Sequence, residues 1–136
     1  MGHATRTFLD SGVLIYAYRG QPEFREPALR ILDDPDRIFL SSPFVRLELS
    51  PKALFNKQQA EYRFYQGYFR RAIFCDDLRS VLGHASRESA RSGVGAMDSL
   101  HIAAAHLLDA EEFITTEKPE KSIHRSSLVK VVYLFQ

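Results

Sequence analysis

Apolar and polar positions along this chain fall into short blocks that switch between the period of a strand and the period of a helix. Arg6 to Leu9 is β-prone and ends apolar, Ser11 or Gly12 can start a turn, and Val13, Ile15, Tyr16 and Tyr18 fit a short helix. Pro22 to Leu32 carries Phe24, Ala28, Leu29, Ile31 and Leu32 near helical spacing, until Asp33-Asp34-Pro35-Asp36 breaks the pattern. Ile38 to Leu40 is a compact apolar run. The Ser41-Ser42-Pro43 that follows signals a new helix, with serine as cap and proline in the first turn. From Gln58 to Ala72, Tyr62, Tyr65 and Phe69 recur at helical spacing and Phe64 and Tyr68 form a second row, so this helix is broadly apolar. Ile73 to Cys75 reads as a short third strand, Leu78 to Arg91 as a polar helix closed by Ser92-Gly93, and Ala96 to Leu108 as another helix. Glu112 to Thr115 and the valine-rich Leu128 to Leu134 read as the last two strands.

Strands that alternate with helices, most of them apolar on both faces, predict an α/β fold in which a mainly parallel sheet is covered by helices on each side. At 136 residues, 45% of them hydrophobic, the chain reads as one domain over residues 1–136 with one core. The formal net charge of +1 gives little long-range attraction to a polyanion, so any nucleic-acid contact must come from a local patch. A lone cysteine, Cys75, cannot close an internal disulfide and reads as a packed strand residue. MGHATRT lacks the pattern of a signal peptide, and no apolar run approaches the ~20 residues that span a bilayer. A cytoplasmic protein with no membrane partner is the expectation.

In doubly wound folds ligands bind beyond the carboxyl ends of the strands, which directs attention to residues just after them. Asp10 follows the first strand, and Glu117 follows the strand Glu112 to Thr115 by two residues. Asp98 opens the helix in AMDSLHIAAAHLL, where it caps the helix, complements its dipole, or belongs with the other acids. Glu48, in PFVRLELSPKA, shares a face with Phe44 and Val45 but has Lys52 four residues on, the spacing of a solvated ion pair. Carboxylates that converge within ~4 Å repel by about 4 kcal/mol per pair at an effective dielectric near 20, so a cluster of them needs a cation. Oxygen ligands without partnering cysteines or a paired-histidine motif select Mg²⁺ or Mn²⁺.

LDSGVLIYA, SSPFVRLELSPKA, AMDSLHIAAA and FITTEKP, in that order, resemble the PIN-domain ribonucleases, including the VapC-type toxins. The resemblance covers nearly the whole chain. It implies a doubly wound α/β/α sandwich with sheet order 3-2-1-4-5, in which Asp10, Glu48, Asp98 and Glu117 match the catalytic acids that hold one or two Mg²⁺ or Mn²⁺ ions. It also implies endonucleolytic hydrolysis of RNA to a 5′-phosphate and a 3′-hydroxyl; an antitoxin protein and a second copy in a homodimer are candidate partners. The chain departs from the family at Gly12, where asparagine or a small polar residue is common, and at Glu117, where aspartate is commoner.

On this reading Asp10, Asp98 and Glu117 hold the metal, and Glu48 completes the coordination or orients the attacking water. Lys118, Lys121, His124 and Arg125 form the densest basic group near an expected ligand and are candidates for backbone phosphate contacts, or else a solvated loop. His101 packs on its helix or touches a phosphate. The aromatic rows of Tyr62 to Phe69 serve as core, as a dimer face or as an antitoxin groove. The alternative class is a PIN-like module that binds RNA or protein without cutting. An acid-pocket phosphatase or a phospho-receiver fits less well, because Gly12 stands where a second early acid belongs.

Overall fold

The computed structural model describes residues 2–136. Five strands, β1 (Thr5–Leu9), β2 (Arg37–Ser41), β3 (Ile73–Phe74), β4 (Glu112–Thr115) and β5 (Val131–Tyr133), form one sheet of order β3-β2-β1-β4-β5. Every neighbouring pair is parallel, from Thr5 opposite Arg37 in the centre to Thr115 opposite Tyr133 at the edge. Chain order reverses at β1, which lies between β2 and β4, so the crevice at the β1 and β4 carboxyl ends is the ligand position of the fold.

Six α-helices connect the strands: α1 (Ser11–Arg19), α2 (Pro22–Leu32), α3 (Pro43–Phe55), α4 (Gln59–Arg71), α5 (Leu78–Ser92) and α6 (Ala96–Leu107). Their ends follow local chemistry. Ser42 caps α3 by accepting from the Phe44 and Val45 amides, with Pro43 in the first turn, and Asp77 caps α5 through the Ser80 amide. Gly93 closes α5 at φ 74°, a left-handed position that glycine adopts without a Cβ penalty. The core lies between sheet and helices: Phe8, Leu9, Leu40 and Phe113 from the strands meet Val13, Leu14, Val45 and the Ile102–Ala105 run of α6. The Phe8 and Phe113 rings stack at 5.4 Å between centroids.

The aromatic rows of α4 resolve in favour of core, since Tyr65, Tyr68 and Phe69 are buried and Tyr62 and Phe64 pack against them. Exposed apolar side chains lie instead on α3, where Leu47 (63% exposed), Leu54 and Phe55 (85%) fall at helical spacing, and on α5 at Leu78 and Leu82. The last strand is shorter than the apolar run Leu128 to Leu134 suggests. Residues before Val131 form a turn held to α5: the buried Glu88 carboxylate accepts from the Ser126 hydroxyl, and Arg91 donates to Ser127 Oγ. No helix of the described residues is long and apolar enough to cross a membrane.

Candidate metal centre

Asp10 ends β1 and starts α1, the strand-to-helix junction that points a side chain into the crevice. It is buried, 6% exposed, and both its oxygens are held: the Ser11 amide donates to Oδ1 at 2.9 Å, and the Thr115 hydroxyl, from the neighbouring strand, donates to Oδ2 at 2.7 Å. Thr115 Oγ1 in turn accepts the Glu117 amide at 3.0 Å, so one hydroxyl ties the β4 turn to the first acid.

Glu48, on α3, does not pair with Lys52. Its Oε1 receives the Ser11 hydroxyl at 2.9 Å and His101 Nε2 at 2.6 Å, while Oε2 has no hydrogen bond among the described residues. A carboxylate can only accept, so His101 presents Nε2–H, and its other ring nitrogen, Nδ1, lies buried without a partner. The hydrogen bond from His101 holds the Glu48 carboxyl below the usual carboxylate range, against burial, with help from the charge of His101 and from Ser11. His101 is therefore a packed helix residue, 1% exposed, that also orients an acid. Its place one turn after Asp98 was visible in the sequence; its partner, 53 residues away, was not.

Asp98 is not the cap of α6. Gly95 occupies that position, and Asp98 lies half-buried in the first turn. Burial pushes its carboxyl up to about 6, and the negative charges of Asp10, Glu117 and Glu48 push the same way against His101. All four acids thus share one electrostatic environment. Among the described residues, Asp10, Glu48 and His101 form one group whose ligand atoms lie within 4.8 Å of one another; Asp98 and Glu117 complete no such set there.

Gly12 has a structural reason. A Cβ there would lie 2.2 Å from Thr116 Oγ1, so a hydroxyl from the β4 turn fills the space that a side chain at position 12 would take. Of the basic residues after Glu117, His124 donates to the Glu117 carbonyl at 2.8 Å and Arg125 to the Ser92 carbonyl at 3.3 Å, while Lys118 and Lys121 are exposed. Beside Ser11 and Glu48 a cleft of about 290 Å³ opens, with Arg19, Lys52 and Asn56 among its lining residues.

The donor chemistry suits a hard divalent ion. Asp10 and Glu48 converge, the Glu48 Oε2 lone pairs are uncommitted, and the imidazole nitrogen nearest the site already donates to an acid, which leaves carboxylate oxygens as ligands.

The fold matches VapBC2 of Rickettsia felis, solved with a promoter DNA fragment, at TM-score 0.72 and 16% identity over 95% of this chain and 98% of that one. VapBC-1 of nontypeable Haemophilus influenzae matches at 0.72 and 19%, over 97% and 100%. A toxin-antitoxin complex from Klebsiella pneumoniae matches at 0.70 and 15%, over 96% and 98%. No curated protein matches the sequence. The family model described as PIN domain matches residues 7–118, from β1 through the turn that carries Glu117. The chain belongs to the PIN-domain family.

Proposed function

We propose that this protein is a divalent-metal-dependent endoribonuclease and the toxin of a toxin–antitoxin pair. The observation that carries the reading is the convergence of Asp10 and Glu48, together with a half-buried Asp98 whose proton affinity is raised by burial and by the charges of Asp10, Glu117 and Glu48, an arrangement that a cation relieves. Asp10, Glu48, Asp98 and Glu117 are the residues that would hold Mg²⁺ or Mn²⁺. When bound, such an ion neutralises phosphate charge and lowers the pKa of water toward neutrality.

The chain's own residues do the rest. Ser11 and Thr115 fix the two Asp10 oxygens, and His101 with Ser11 fixes Glu48 Oε1, so the carboxylates are ordered before substrate arrives. Glu48 Oε2, which has no hydrogen bond among the described residues, would serve as a ligand or as an acceptor for the proton of an attacking water. Lys118 and Lys121 position the RNA backbone, and the cleft beside Glu48 gives the strand a place to lie. The antitoxin partner rests on the VapBC-type neighbours together with the exposed apolar stripe of Leu47, Leu54 and Phe55.

Incubation of the protein with mixed structured RNAs should give cleavage in Mn²⁺ or Mg²⁺ and none in EDTA or with Asp10→Asn. Cleavage that persists in EDTA, or that Asp10→Asn leaves unchanged, overturns the mechanism.

A further inference from the structure

Between α3 and α4 lies a second pocket of about 220 Å³, lined by Arg46, Ser50, Tyr62, Gln66, Phe69 and Arg70. No acid lines it. Arg46 stacks its guanidinium over the Phe74 ring at 4.9 Å and makes no ion pair among the described residues; nor does Arg70. Ser50 is 8% exposed, and its buried hydroxyl has no hydrogen-bond partner among the described residues. Tyr62 accepts from the Gln66 amide at 2.9 Å, which leaves its hydroxyl proton available to donate. Two arginines and two hydroxyl-bearing residues therefore line one small volume, and the Ser50 hydroxyl is already out of water without a partner among the described residues. An unpaired buried hydroxyl is costly until an acceptor arrives.

We propose that this pocket binds a phosphoryl group. Forked guanidiniums match the geometry of phosphate oxygens, and the stack on Phe74 holds one fork in place. Arg46 and Ser50 are one helical turn apart on α3, while Glu48 lies between them in sequence and so points to a different side of the helix. The pocket is thus separate from the metal centre, and the proposal stands without it. The phosphoryl group comes either from a free phosphate or phosphomonoester, or from the backbone of an RNA that wraps around α3.

The test is calorimetric titration of the full chain with inorganic phosphate in EDTA at constant ionic strength, followed by competition with a labelled single-stranded oligoribonucleotide. Wild type should bind phosphate saturably, with affinity reduced about tenfold or more in Arg70→Gln and in Ser50→Ala, as expected for a lost hydrogen bond to a charged group. Arg70 is exposed, so its variant should keep the wild-type melting temperature. RNA displaced by phosphate from this pocket identifies the backbone as the source, and RNA unaffected by phosphate identifies a free phosphate. Absence of saturable phosphate binding, or equal affinity in wild type and both variants, overturns the proposal.

Discussion

At the scale of single residues, Asp98 carries a cost that pH exposes. Its carboxyl rises from an ordinary 3.8 to about 6 in the fold, so the folded state binds the proton more tightly than the unfolded state does. In metal-free protein the Asp98 contribution should be fully present below about pH 4, decline as pH rises through 6 and stay level above. Asp98→Asn should remove that decline and melt higher than wild type in EDTA at pH 7. Metal at ~100 times its Kd should add about 2.7 kcal/mol to wild type and distinctly less to the variant. Four melting curves decide it; a variant that melts no higher in EDTA and gains as much from metal removes Asp98 from the site. Position 12 gives a second, independent test. Gly12→Ala should cost roughly 1–3 kcal/mol, because Thr116 must rotate or shift from 2.2 Å, and Thr116→Gly in the same chain should recover most of it. Additive losses in denaturant melts would show that the approach of Thr116 does not govern the choice of glycine.

At the scale of elements, α1 and α4 are joined by an ion pair that is unequal at its two ends. Glu61 is almost enclosed, 7% exposed at the side chain, whereas Arg19 is 56% exposed, and Tyr65 donates to the second Glu61 oxygen. Burial pushes the Glu61 carboxyl up, but the hydrogen bonds from Arg19 and Tyr65 outweigh it and leave it below the usual range. Arg19→Ala strands a buried charge, while Glu61→Gln leaves an arginine that water can solvate. The first should therefore destabilise by roughly 2 kcal/mol or more and the second by clearly less, as read from urea melts; the opposite order would mean that the buried carboxylate is well solvated. The alternation of these elements was legible in the sequence because each strand and helix carries its own period and cap: Asp10, Ser42 and Gly93 mark boundaries by local chemistry alone. Sheet order, and the roles expected of the acids, came from the resemblance of four short motifs. What stayed hidden depends on residues far apart in sequence. The tie of the segment before β5 to α5 depends on Glu88 reaching Ser126, the Glu48–His101 bond on α3 meeting α6, and the fit of Gly12 on a threonine just after β4. Equally, the sequence of α3 does not say that Leu47 and Phe55 face outward while the α4 aromatics face in.

At the scale of the whole molecule, near neutrality of charge means that, on the proposed function, RNA affinity would depend on a few placed cations rather than on a general field. Lys118→Ala with Lys121→Ala should flatten the dependence of log affinity on log salt by about one unit for each phosphate that is no longer neutralised, with folding unchanged; an unaltered slope makes both lysines merely solvated. The sheet limits its own edges, since β3 and β5 are two and three residues long and offer little backbone for stray pairing. The hydroxyl that Thr115 extends to Asp10 joins residues 105 positions apart. In a chain made from its amino end, Asp10 emerges early and waits for a partner that is synthesised 105 residues later. Until β4 has been made and inserted beside β1, the crevice lacks one wall, so whatever chemistry gathers at Asp10 waits on a strand encoded far downstream.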